Sequence, residues 1–115
     1  MRNLLFLILS LVITQNEVCF EIESNPNPNN SALSCFSKYI NVLDCFDIYA
    51  ESSVSDEKVL HVASVAAELL DNNEDGIVDD EVLFNELQEY EALMPVFTSD
   101  GNACMNSFEN NYNGD

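Results

Sequence analysis

The stretch "LLDNNEDGIVDDEVLF", Leu69 to Phe84, joins an apolar helical pattern to a strongly acidic loop. Six carboxylates fall within the eleven residues from Asp71 to Glu81, and no basic residue lies among them. Like charges at this spacing repel each other unless a cation lies between them. The central question of the sequence is therefore whether these acids converge on a metal ion or are solvated one by one.

The residues before the loop predict a helix over Asp56 to Leu70. Ser55 is a suitable N-cap, and the acids Asp56 and Glu57 lie in the first turn, where the helix dipole favours negative charge. Apolar residues then recur at helical spacing, which indicates one amphipathic face: Val59, Val62, Ala63, Ala66, Leu69 and Leu70.

The residues after the loop predict a second helix from about Asp80 to Glu91. Alternation from Cys45 to Ala50 predicts a strand, and the segment 31–39 has the composition of a short helix. Residues 92–98 form a short apolar segment that Pro95 limits to an edge strand or an irregular extension. The predicted fold class is α+β, with two helices flanking the acidic loop and short strands before and after them.

The loop places oxygen donors at alternate positions, as a calcium ion requires. Calcium takes six to eight oxygen ligands, and Gly at the sixth place allows a sharp backbone turn. In "DNNEDGIVDDEV", residues 71–82, the first, third, fifth and ninth places carry side-chain oxygens and the seventh offers a backbone carbonyl: Asp71, Asn73, Asp75, Asp79 and Ile77. Val78, in the eighth place, is expected to point into the core.

This pattern resembles the EF-hand calcium loop over about eleven of its twelve places. It departs at the last place, where EF-hands carry a bidentate glutamate and this chain has Val82. Asp80 or Glu81 would then complete the shell, as in shortened loops that resemble the calcium repeats of thrombospondins and the extracellular excalibur module. The resemblance implies one isolated, weak Ca²⁺ site. The alternative is a solvated acidic turn in which Asp79 or Asp80 caps the second helix.

A wider resemblance covers "KVLHVASVAAELLDNNEDGIVDD", Lys58 to Asp80. This segment is similar to the leading part of a group of secreted proteins with an LDN-x-DG loop after a helix. Longer members of that group continue into a region with metal-hydrolase character. The resemblance implies that this chain corresponds to the leading part only, without the catalytic half.

The N-terminal residues 1–15 have the pattern of a secretory signal peptide. Arg2 precedes an apolar run that is too short to span a membrane. We expect a lead and Asn/Pro-rich linker over 16–30, one domain over 31–108 and a polar, unpacked tail over 109–115. Loss of Arg2 without any acid moves the formal charge from −18 to −19.

The cysteine pattern agrees with secretion. An even number of cysteines in a small exported domain predicts disulfides, with three connectivities open among Cys19, Cys35, Cys45 and Cys104. No C-x-x-C pair is present and His61 is the only histidine, so zinc-finger and thioredoxin chemistry have no basis. The "NNS" at Asn29 to Ser31 is one acceptor sequence for N-glycosylation.

The charge balance restricts the partners. With 21 acidic and 3 basic residues, the chain would repel nucleic acid and anionic membranes and attract cations or a basic extracellular protein. No residue pattern indicates an enzyme, since the serines lack an adjacent base and a G-x-S-x-G turn. We therefore expect a secreted calcium-binding module in which Ca²⁺ acts as a structural clip. The alternatives are a truncated relative of a secreted metal-dependent hydrolase and an acidic interaction protein that binds no metal.

Overall fold

The computed structural model describes residues 20–112, which form one four-stranded sheet and three helices. The predicted signal peptide, Cys19 and residues 113–115 lie outside this range. In chain order the elements are β1 (Glu23–Ser24), β2 (Lys38–Val42), β3 (Phe46–Ala50), α1 (Asp56–Leu70), α2 (Glu81–Glu89), β4 (Leu93–Val96) and α3 (Ala103–Asn111).

The strand order in the sheet is β1-β2-β3-β4. The first three strands are antiparallel, with Ile40 opposite Ile48. β4 runs parallel to β3 and places Met94 opposite Ile48, because α1, the acidic loop and α2 carry the chain back across the sheet between them. The predicted α+β class is confirmed. β4 lies at the edge of the sheet, where Pro95 is tolerated.

Each face of the sheet has its own core. One face packs against α1 through buried aliphatic side chains of β2, β3 and the helix, among them Ile40, Ile48 and Val59. The opposite face packs Tyr49 against Phe36 and against Cys104 of α3. β3 is therefore covered on both sides, and it is the central structural element of the domain.

Helix α1 has the bounds that the sequence predicts. Ser55 Oγ accepts a hydrogen bond from Lys58 N at 3.2 Å, as an N-cap should. The side chains buried against the sheet are Val59, Ala63 and Ala67. Leu69, which we expected on this core face, is 76% exposed because its position on the helix lies away from the sheet.

The segment before β2 differs from the prediction. Residues 31–35 form turns rather than a helix, and Lys38 already begins β2. The Asn25 side chain explains this, because its Nδ2 donates to the carbonyls of Leu33 and Phe36 at 2.7 and 2.9 Å. A side chain thus satisfies carbonyl groups that a helix would pair internally. Asn25 and β1 lie in the predicted 16–30 linker, so the described part of that segment belongs to the folded domain.

The C-terminal part is also more ordered than expected. α3 was not predicted and extends to Asn111, so residues 109–111 of the expected tail are helical, although their side chains are exposed. The Tyr112 ring stacks on Phe108 with centroids 4.8 Å apart. A disulfide between Cys35 and Cys104 fastens α3 to the turn before β2 across a sequence separation of 69 residues. Cys45 is buried in the domain.

Glu51 fastens the end of β3 to the chain beyond β4. Its Oε2 accepts hydrogen bonds from Thr98 N at 2.6 Å and from Asn102 Nδ2 at 2.9 Å. Burial raises the pKa of Glu51, but the hydrogen bonds together lower it by more than burial raises it. The pKa of Glu51 is therefore below the ordinary glutamate value. The ionised carboxylate therefore stabilises the folded state.

We predict that the Cys35→Ser/Cys104→Ser variant is less stable than the oxidised protein by about 2–5 kcal/mol, because the unfolded chain is no longer closed into a long loop. Urea denaturation of the two proteins measures this difference. The oxidised protein treated with a reductant should match the variant; an unchanged midpoint in both would contradict the prediction.

We predict that Glu51→Gln destabilises the protein by about 1 kcal/mol or less at neutral pH. Because folding lowers the pKa of Glu51, its contribution is present above the ordinary glutamate pKa and is lost as the pH falls through the folded value. Melting curves of wild type and variant should converge in acid. Glu89→Gln, an exposed change of equal charge, should show no such convergence.

Candidate metal centre

The candidate site begins where α1 ends. Asp71 is the C-cap residue of this helix, and its N–H donates to Ala67 O at 2.9 Å. Its side chain is only 5% exposed, and it is the one buried charged side chain among residues 20–112. A buried carboxylate needs hydrogen-bond donors, and the loop that follows supplies them.

Both oxygens of Asp71 accept backbone hydrogen bonds from the loop. Oδ1 accepts from Asp75 N at 3.3 Å, and Oδ2 accepts from Gly76 N at 2.7 Å. Gly76 has φ +85°, a left-handed conformation that disfavours residues with a side chain. The glycine at the sixth place thus turns the chain so that its own N–H points back at the first carboxylate.

Asp79 closes the other end of the loop. Its N–H donates to Leu70 O at 2.9 Å, and its Oδ2 accepts from Asn72 N at 2.8 Å. The start and end of the loop are thereby joined on both sides of Asp71. Val78, next to Asp79, is 7% exposed, so the expectation that it points into the core is confirmed.

Three carboxylates converge as a result of these bonds. Asp71, Asp75 and Asp79 each offer an oxygen, and these oxygens lie within 4.8 Å of one another. Repulsion at such distances is on the order of 1–4 kcal/mol per pair, depending on the effective dielectric constant. The one ion pair in the described part of the chain, Lys38 with Asp56 at 2.7 Å, lies outside the loop. The cluster could hold a metal ion.

Two further predicted ligands lie beside the three acids in the chain. Asn73 is exposed, and its Oδ1 accepts from Asp75 N at 3.2 Å, a local Asx-turn bond within the loop. Ile77 N donates to Asp75 Oδ1 at 2.9 Å, and the Ile77 side chain is 69% exposed. An exposed isoleucine at this place agrees with a role for its backbone rather than its side chain.

The two acids expected to complete the shell have a different position. Asp80 Oδ1 accepts from Val82 N at 3.0 Å and from Leu83 N at 3.1 Å, so this carboxylate is the N-cap of α2. Glu81 is the first residue of the helix and is exposed. Neither belongs to the group of carboxylates within 4.8 Å of one another. Asp80 thus caps α2, as the solvated-turn alternative expects, while three other carboxylates of the loop still converge.

The donor set decides which metals fit. The cluster offers hard carboxylate oxygens, and neither His61 nor a described cysteine belongs to it. Such a set suits Mg²⁺, Ca²⁺ or Mn²⁺ better than Zn²⁺ or copper. With three protein carboxylates, several coordination positions remain for carbonyl oxygens or water.

Comparison of the chain with protein families, with curated proteins and with solved structures found no match. Within residues 20–112 no helix combines the length and the apolar character needed to cross a membrane.

We predict that Asp80→Ala lowers the free energy of unfolding by about 1 kcal/mol in the presence of a chelator, because two N–H groups of α2 lose their acceptor. Asp80→Asn keeps a capping oxygen and should stay within a few tenths of wild type. Urea denaturation distinguishes the two. Equal losses in both variants would show that the charge of Asp80, and not its capping bond, is what matters.

Proposed function

We propose that this protein is a secreted calcium-binding module in which Ca²⁺ acts as a structural clip between α1 and α2. One observation carries the proposal: three carboxylates from separate positions of the loop bring their oxygens within 4.8 Å of one another. A divalent cation among them converts their mutual repulsion into attraction. The ion would thereby stabilise the loop that joins the two helices.

Calcium is proposed in preference to magnesium because the two ions differ in the geometry that they require. Magnesium requires near-octahedral geometry and short bonds, whereas calcium accepts six to eight oxygens in flexible arrangements. The proposed ligands are Asp71, Asn73, Asp75 and Asp79 with the Ile77 carbonyl. Val82, at the place of the usual bidentate glutamate, is 71% exposed and has no oxygen in its side chain. Weak binding follows, on the order of 10⁻⁴–10⁻³ M, as in extracellular modules.

The compartment is inferred from the covalent chemistry. The Cys35–Cys104 disulfide is compatible with an oxidising, extracellular environment. Asn29, the first residue of the glycosylation sequence, is exposed and therefore accessible to a glycan. Together with the apolar N-terminal pattern of the sequence, these features favour a secreted glycoprotein.

We predict that titration of Ca²⁺ into the oxidised protein gives a Kd on the order of 10⁻⁴–10⁻³ M, and that Asp75→Asn weakens it at least tenfold by removing a ligand charge. Glu74→Gln is the matched control, since it removes the same charge from an exposed neighbour outside the cluster and should change the Kd by less than about twofold. Isothermal titration calorimetry measures both.

Melting curves give a second measure of the same binding. Calcium at ten times its Kd should stabilise the wild type by about 1.4 kcal/mol, a rise in Tm of several degrees for a domain of this size. A parallel titration with Mg²⁺ should show weaker binding. If wild type and Asp75→Asn take up calcium equally poorly at millimolar concentration, the calcium-binding proposal is wrong. The alternative, an acidic interaction protein that binds no metal, is then supported.

A further inference from the structure

An apolar groove of about 400 Å³ lies between α1, α2 and β4. Its walls include Val62, Val65 and Leu69 of α1, Leu83 and Leu87 of α2, and Met94 of β4. Several of these side chains are well exposed: Leu69 by 76%, Met94 by 42%, and Val65 and Leu83 by 41% each. Scattered exposed apolar residues are ordinary, whereas apolar residues gathered in one groove form a candidate interaction site.

The groove exists because α1 has more apolar surface than the sheet covers. Val59, Ala63 and Ala67 lie on the face packed against β2 and β3. Val65 and Leu69, four residues apart, lie on a second face that the domain leaves exposed, whereas Val62 is partly buried against the core. A helix that is apolar on two faces is expected to have two partners.

Helix α2 leaves its side of the groove equally uncovered. None of its residues is buried, although Leu83 and Leu87 lie one turn apart on the same side. A hydrogen bond from Gln88 Nε2 to Asp44 O at 2.8 Å connects α2 to the turn between β2 and β3. A short helix with no buried residue gains little packing energy from its own domain, so contact with a partner would supply it.

Charge selects the kind of partner. Glu68 of α1 and Glu86 of α2 are exposed acids of the two helices that border the groove. The whole chain carries a formal charge of −18 with three basic residues. A second copy of this chain would bring the same negative charge to the groove, and an anionic lipid surface would be repelled as well. A cationic partner is attracted to a surface of this charge.

We propose that the groove binds a cationic amphipathic helix of an extracellular partner, with apolar side chains in the groove and lysines or arginines toward the exposed acids of α1 and α2. An apolar groove between two helices matches this mode of recognition, in which residues at spacings of three and four anchor the ligand. The inference specifies the surface through which the proposed secreted module interacts. The groove contains no residue of the acidic loop, so it can be tested separately from calcium binding.

The probe is a synthetic 18-residue helical peptide with leucines on one face, lysines on the other and a single tryptophan. The protein contains no tryptophan, so fluorescence reports on the peptide alone. We expect binding to the oxidised protein that weakens as salt is raised. Leu69→Ala/Leu83→Ala should raise the Kd about tenfold or more, because apolar contact is lost at two points of the groove.

Val82→Ala is the matched control. Val82 adjoins Leu83 in the same helix and is 71% exposed, but it does not line the groove, so the Kd should stay within about twofold of wild type. A peptide with glutamates in place of the lysines should bind far more weakly. Circular dichroism of each variant shows that the fold is retained, since the replaced side chains are exposed.

Three outcomes would overturn the proposal. These are absence of peptide binding, an affinity that the double variant leaves unchanged, and equal affinity for the glutamate peptide. Self-association of the wild type in sedimentation, abolished by Leu69→Ala/Leu83→Ala, would instead identify a second copy as the occupant. Each titration is run with calcium and with a chelator. Peptide binding that persists in chelator supports the groove even where the calcium titration fails.

Discussion

The buried carboxylate of Asp71 is the point on which the arrangement of the two helices depends. Its backbone ends α1, and its two oxygens hold the amides of Asp75 and Gly76. A buried charge without such donors would cost several kcal/mol, so the loop must fold around it. The same folding brings Asp75 and Asp79 close to Asp71 and creates a concentration of negative charge. The structure of the loop and its proposed affinity for a cation thus have one origin.

The loop also determines where α2 begins. Because Asp79 closes the loop onto Leu70 and Asn72, Asp80 is placed where it can cap the next helix. Capping commits one oxygen of Asp80 to backbone amides, and this explains why the acid that follows the ninth place stands apart from the cluster. The cluster is left with three carboxylates, a composition that agrees with the weak calcium binding proposed above.

The sheet provides the rigid part of the domain. β3 is buried on both faces, and the Cys35–Cys104 disulfide fastens the second core against it. By contrast, α2 contributes no buried residue and borders an open apolar groove. Stability is therefore concentrated in the sheet and α1, while the surface beside α2 stays exposed. The acidic loop lies at the junction of these two parts, and a cation bound there would limit the movement of α2.

Local sequence determined the features whose causes are local. The bounds of α1 follow from Ser55 and from apolar spacing, and the turn at Gly76 follows from its lack of a side chain. Packing over long sequence distances decided the rest. Asn25 donates to carbonyls of the segment 31–36, which forms turns in place of the expected helix. Phe108 packs against the second core and so attaches α3, in a segment whose sequence is mostly polar. Only the tertiary structure could show that Leu69 and Met94 face a groove, because an apolar residue has the same periodicity whether its partner is its own core or another molecule.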